Sequence, residues 1–372
     1  MPNKNHRIPA FKYYFPPEEI EWITNSFHEL LSTGGFLSLG SYCKELETNF
    51  AQYCGAKYGV TCNSGTASLE LILRAMEISG KEIIVPANTF AATAFAVINA
   101  GGIPVFADIL PDLTIDPKQV EAKITSNTAA FITVHIGGVV SPKTHELVKL
   151  SQKTGIPLIE DAAHAHGSQL DGQFAGTFGL AAGFSFFSTK VMTTGEGGML
   201  LTDNEEIHRK TTIIRDQAKE GGNFHNMLGG NWRMDEFKAI LGLSQLRTLE
   251  ANIAERHRVA RLYDENLQGI STLERIPVTD NVRENFYKYT LILSDYDRQA
   301  LKQKLKQEYG ITLGGYVYDI PLNKQPCFQP WVTDPMPIAE DLCARHICLP
   351  VYPTLSDSET RYICESIRSI LS

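Results

Sequence analysis

The stretch Ile156-Pro157-Leu158-Ile159-Glu160-Asp161-Ala162-Ala163-His164-Ala165-His166 carries the pattern on which the fold turns. An apolar run this short, bounded by Gly155 on one side and small residues on the other, reads as a buried strand. It ends in carboxylates, which are costly in an interior unless a cation or donors meet them. Runs of the same kind recur at 57–62, 82–86, 103–108, 129–134, 182–187 and 198–202. The segments between them, such as 66–76 and 143–153, place Leu, Ile, Val or Ala at helical spacing with charges opposite. Strands that alternate with helices need crossover connections, so the expected fold is α/β with a mostly parallel sheet sandwiched by helices. Ligands of such sheets sit beyond the carboxyl ends of the strands, which makes the residues just after each strand the place to look for chemistry.

From Arg233 to about Leu267 the chain reads as one long helical stretch, broken only near Gly242, and beyond it the alternation ends. Residues 286–293 and 346–350 read as strands, 297–309 as a helix stopped by Gly310, and Ser356-Asp-Ser-Glu359 as a capping box opening a last helix. The expected division is a large domain over 1–250, with an N-terminal helix, and a smaller α+β C-terminal domain over 251–372. A chain of 372 residues exceeds what one average core sustains, which agrees with two units.

Lys and Arg number 34 and Asp and Glu 42, so the formal charge is 34 − 42 = −8. With 43% hydrophobic and 20% charged residues the composition is that of a packed globular protein, and a net acidic chain speaks against nucleic acid as a partner. The first thirty residues hold no apolar stretch of signal-peptide length, and nowhere do eighteen apolar residues run together, so a soluble cytoplasmic protein without a membrane partner is expected. The seven cysteines are scattered and never spaced as CxxC, which points to reduced, mostly buried thiols. Cys343-Ala-Arg-His346-Ile-Cys348 fits no common ligand spacing, and no metal is expected.

Four segments at strand-to-loop junctions have the residue types of a binding site. Asn63-Ser64-Gly65-Thr66 opens a helix, where free N–H groups and the helix dipole favour an anion, although an ordinary N-cap turn has the same composition. Asp161 reads either as a cap of the following turn or as the partner of a protonated pyridine nitrogen. Phe184-Ser185-Phe-Phe-Ser-Thr-Lys190 delivers a serine and then a lysine at the active end of the sheet, where a desolvated amine has a depressed pKa and condenses with an aldehyde. Gly229-Gly-Asn231-Trp-Arg-Met-Asp235 leads into the long helix, with Asn231 as an N-cap or a further polar contact.

Together with Val85-Pro-Ala-Asn-Thr-Phe90, Val105-Phe-Ala-Asp108 and Gly195-Glu-Gly-Gly198, these segments resemble, in order and spacing, the motifs of the DegT/DnrJ sugar aminotransferases of fold type I. The resemblance runs from about Gly40 to the end. It implies pyridoxal 5'-phosphate as cofactor, Lys190 as the lysine that holds it and shuttles the proton, and Asp161 as the carboxylate on its pyridine nitrogen. It further implies Phe90 stacked on the ring, Gly65, Thr66 and Ser185 on the phosphate, and Asn231 reaching the phosphate of the neighbouring subunit in a homodimer with shared sites. The implied reaction is ping-pong transfer from L-glutamate, with glutamine the alternative donor, to a keto-sugar, nucleotide-linked, giving an amino-sugar for polysaccharide biosynthesis. Tyr316, Tyr318 and Asp319, around Gly314-Gly315, lie where members of the family approach the sugar.

Two positions depart from the family's commonest pattern. His164 stands where most members have a glutamine that hydrogen-bonds the phenolic oxygen of the cofactor, and an imidazole N–H makes the same bond. The other is Val134-His135-Ile136-Gly137-Gly138, where many nucleotide-sugar enzymes carry an aromatic residue before the second glycine. The segment 161–166 is also similar to members acting on cyclic ketones without a nucleotide, such as aminohydroxybenzoate synthases. A non-enzymatic regulator on the same scaffold leaves the lysine, aspartate and serine set unexplained, and a Rossmann dehydrogenase lacks its GxGxxG.

Overall fold

The computed structural model describes residues 7–222, 224–315 and 318–371. Two helices open the chain, α1 (Pro17–Thr33) and α2 (Ser41–Cys54). The alternating region follows as β1 (Tyr58–Cys62), α3 (Gly65–Ala75), β2 (Glu82–Pro86), α4 (Ala91–Asn99), β3 (Ile103–Ala107), α5 (Pro117–Ala122), β4 (Thr128–Val134), α6 (Thr144–Thr154) and β5 (Leu158–Asp161). After two short strands, β6 (Gln169–Leu170) and β7 (Gln173–Phe174), it closes with β8 (Ala181–Ser185), β9 (Gly198–Thr202) and α7 (Glu205–Arg215).

Seven of these strands form one sheet in the order β1-β9-β8-β5-β4-β2-β3. β9 is antiparallel to both its neighbours, and the other pairings, from β8 to β3, are parallel. All seven runs read as strands from the sequence lie in this sheet. Alternation along each strand separates two cores: Ile83 and Val85 pack under α3 and α4, while Ile84 and Phe131 pack under α5 and α6. Burial on both faces is why the runs carry so few polar residues.

The long helix α8 (Glu236–Asn266) begins three residues later than the sequence suggested, after an N-cap formed by Asp235, whose Oδ1 accepts from the Lys238 N–H at 2.9 Å. It is continuous through Gly242. A Cβ there would lie 2.7 Å from Leu46, so the glycine allows α8 to pack against α2 and makes no break. The expected division at 250/251 falls inside this helix, whose later residues Val259, Ala260 and Tyr263 belong to a separate core. That core also takes in β12 (Tyr289–Leu293) and β13 (His346–Leu349), which with β10 (Leu273–Arg275) make a second, three-stranded sheet. β11 (Val282–Arg283) pairs instead with β6. Helices α9 (Arg298–Glu308), α10 (Pro337–Arg345) and α11 (Asp357–Leu371) complete the fold, α9 followed by Gly310 at φ 71° and α11 opened by the Ser356/Glu359 capping box.

Asp108, just after β3, accepts from the N–H groups of Ile338 and Ala339 at 3.0 and 2.9 Å, and so caps the start of α10. Glu236 does the same for α2, accepting from Gly40, Tyr42 and Cys43. No described helix is long and apolar enough to cross a membrane.

Candidate active site

The carboxyl ends of β1, β4, β5 and β8 surround a cavity of about 390 Å³. Its wall includes Gly65, Thr66, Phe90, Asp161, His164, Ser185 and Lys190, so residues spread over 126 positions of sequence are gathered at one end of the sheet.

At one side lies the start of α3. The Ser64 hydroxyl accepts from the Ala67 N–H at 3.1 Å, which consumes one helix-start donor and leaves its neighbours facing the cavity. A Cβ on Gly65 would stand 2.6 Å from that of Ser185, so only glycine lets the helix start and the end of β8 come this close. The Ser185 hydroxyl accepts from the Phe187 N–H at 3.3 Å and keeps its own proton to donate. Backbone N–H groups, Thr66 and Ser185 together make an oxyanion cradle without a basic side chain.

Opposite, Asp161 ends β5 and is buried. Its Oδ2 accepts from the Thr93 hydroxyl at 2.7 Å and its Oδ1 from the Ala163 N–H at 3.2 Å. Burial pushes this carboxyl up, and Thr93, Ala163 and the Lys190 charge oppose that. A buried carboxylate held by neutral donors suits a cationic ring nitrogen brought by a ligand.

Lys190 sits in the loop after β8, which is folded back by bonds from Lys190 N–H to the Phe187 carbonyl and from the Ser188 hydroxyl to the Gly195 carbonyl. Phe186 and Met192, both fully buried, anchor the loop from below. Burial pushes the Lys190 amine down, against the pull of Tyr287 and Asp161. Such an amine is a better nucleophile at neutral pH than a solvated lysine.

Beside it, the His164 ring accepts at Nδ1 from the Gly137 N–H at 3.3 Å, and burial holds its pKa well below the ordinary value. The ring is therefore neutral with its proton on Nε2, the one nitrogen left to donate. The His164 ring lies against Tyr287 at 4.5 Å and 37° tilt, and Tyr287 is a cavity residue that the sequence reading passed over as part of a strand. Glu160 serves the scaffold: it accepts from Gly176, Phe178 and Gly179 and pairs with His135 at 2.8 Å.

The remaining expected residues lie elsewhere. Asn231 is exposed and outside this chain's cavity, its carbonyl accepting from Asn63 at 3.3 Å. Tyr318 is buried in the core and stacks on His346 at 4.3 Å, and Asp319 pairs with Arg298 and Lys302, so neither reaches the cavity. Tyr316 lies outside the described residues. Six of the seven unpaired cysteines are buried and Cys327 is exposed.

Comparison with known proteins agrees with this geometry. Residues 17–368 match the DegT/DnrJ/EryC1/StrS aminotransferase family. The chain is 36% identical to a UDP-N-acetyl-3-dehydro-alpha-D-glucosamine 3-aminotransferase of Acidithiobacillus ferrooxidans, covering 99% of both chains. It is 32% identical to a GDP-perosamine synthase of Escherichia coli O157:H7, covering 98% of this chain and 99% of that one. Among solved structures it superposes with a TM-score of 0.91 and 27% identity on the PLP form of Spr1654 from Streptococcus pneumoniae, over 98% of each.

Proposed function

The chain belongs to the DegT/DnrJ/EryC1/StrS aminotransferase family, and on that premise we propose that it moves the amino group of L-glutamate to the keto carbon of a nucleotide-linked sugar in two half-reactions. It is a sugar aminotransferase and its cofactor is pyridoxal 5'-phosphate. The observation that carries the aminotransferase reading is the presence, in the wall of one cavity, of the Lys190 amine and the buried Asp161 carboxylate. Named relatives acting on UDP- and GDP-sugars support a nucleotide on the substrate.

The residues present fit the cofactor. Gly65, Thr66 and Ser185 would hold its phosphate, Asp161 its ring nitrogen, Phe90 its face, His164 Nε2 its phenolic oxygen and Lys190 its aldehyde carbon. When bound, the group supplies an electron sink for a carbanion next to nitrogen. Asp161 would keep the ring nitrogen protonated, its carboxylate oriented by the Thr93 hydroxyl. The Lys190 amine would serve as the base and acid that moves the proton during transfer. The Gly137 N–H keeps His164 in the tautomer that donates.

Asn231 supports a homodimer with shared sites, because an exposed residue in the segment before α8 is free to reach a second copy. Phe36 and Leu228, 86% and 88% exposed, offer apolar surface for that contact. The test is spectroscopic: adding L-glutamate to the loaded enzyme should convert its visible absorbance to that of the pyridoxamine form, and a nucleotide keto-sugar should restore it. Restoration by a non-nucleotide cyclic ketone alone would overturn the substrate assignment.

A further inference from the structure

Tyr287 stands between two ammonium groups. Its ring centroid is 4.7 Å from Nζ of Lys190 and 4.5 Å from Nζ of Lys288, and its hydroxyl is 3.1 Å from Oγ1 of Thr189. The neutral His164 ring lies tilted against it, and a third cation, the buried Arg256, is close enough to feel its charge while bonding to the carbonyls of Phe286 and Val351.

This placement is fixed from two directions. Phe286 takes φ 49° and turns the chain just before Tyr287. Asn285, fully buried, donates to the carbonyls of His164 and His166 at 2.8 and 3.0 Å and accepts from the Tyr287 N–H at 2.8 Å. One side chain thus locks the loop after β5 to the segment that brings the phenol into the cavity. Burial alone would keep that phenol protonated, but the charges of Lys190 and Lys288, with the Thr189 bond, outweigh it and bring the pKa down to about 8.

We propose that Tyr287 is the proton-exchange partner of Lys190: the phenolate oxygen takes a proton from the ammonium and so delivers the neutral amine that transamination requires. The Nζ–H bond breaks as the Oη–H bond forms, no electrons are exchanged, and the proton returns to Nζ when the half-reaction ends. The assignment rests on Lys190 as the lysine that holds the cofactor.

Tyr287→Phe keeps the ring on His164 and beneath both ammonium groups and removes only the hydroxyl. In the full-length chain freed of cofactor, tyrosinate absorbance should show one of the fourteen tyrosines ionising at about pH 8. That ionisation should vanish in Tyr287→Phe and move to higher pH in Lys190→Met. In the loaded enzyme, kcat of Tyr287→Phe should fall by about 10²-fold with KM little changed, and the pH profile should lose the limb that the phenol sets. A Tyr287→Phe enzyme with the wild-type tyrosinate titration, or with the wild-type kcat and pH profile, overturns the proposal. Lys190→Met that keeps the visible cofactor absorbance overturns the lysine assignment itself, and the two failures are read separately.

Discussion

The Gly137 N–H points at Nδ1 of His164 across 3.3 Å, and this one bond decides what the imidazole offers the cavity. Gly137 reaches that position at φ 69°, in a turn that any Cβ-bearing residue would strain. A histidine in the usual place of a glutamine thereby becomes a donor of fixed direction. His164→Gln should therefore retain cofactor, whereas His164→Leu should weaken it by roughly tenfold, the worth of about one hydrogen bond. Titration of each apoprotein with pyridoxal 5'-phosphate checks this, and equal affinities for the two variants would contradict it.

Asp161 and Thr93 are joined at 2.7 Å inside the protein. Thr93→Val keeps the volume and removes the donor, leaving one carboxylate oxygen unsatisfied, at an expected cost of about 1–3 kcal/mol in cofactor affinity or stability. Asp161→Ala should reduce turnover by at least about 10²-fold while the protein still folds, since the lost charge acts on the chemistry. Steady-state rates beside thermal unfolding curves separate the two effects.

Asp108 belongs to a motif of the family, yet its bonds go to the start of α10. Asp108→Ala should lower stability by about 1–2 kcal/mol, as loss of a helix cap does, with unchanged cofactor affinity in the protein that remains folded. A catalytic defect without a drop in melting temperature would show that the capping account is incomplete.

Glu284 supplies a pH prediction. Burial pushes its carboxyl up to about 7, against the pull of Arg275 at 2.9 Å. A folded-state pKa above the unfolded one means that this group's stabilisation is complete below about pH 4.5 and is lost as pH rises through about 7. Glu284→Gln should thus be more stable than wild type at pH 8, by about 1–3 kcal/mol, and lose that advantage near pH 4.5. Denaturant midpoints at the two pH values measure it.

The sheet was legible because burial on both faces leaves each strand a short apolar run, and Asp161 and Ser185, singled out by the sequence, end two of these strands and line the cavity. Asp161, Ser185 and Lys190 converge because they follow strands that are adjacent in the sheet. Tyr287 was not legible: its placement depends on a left-handed Phe286 and on the long-range bonds of Asn285, neither of which leaves a local signal. For the same reason Gly242 read as a break, since only the packed neighbour Leu46 explains the missing Cβ. Tyr318 and Asp319 drew attention through the family resemblance, and partners distant in sequence, His346 and Arg298, hold them away from the cavity.

Lys190 is the amine assigned to hold the cofactor, and Lys288 is a second lysine beside Tyr287 that competes for that role. Borohydride reduction of the loaded enzyme, followed by digestion and mass spectrometry, measures which amine is joined to the cofactor. The phosphopyridoxyl group should be found on the peptide containing Lys190. Its recovery on Lys288, or on any other lysine, would contradict the account.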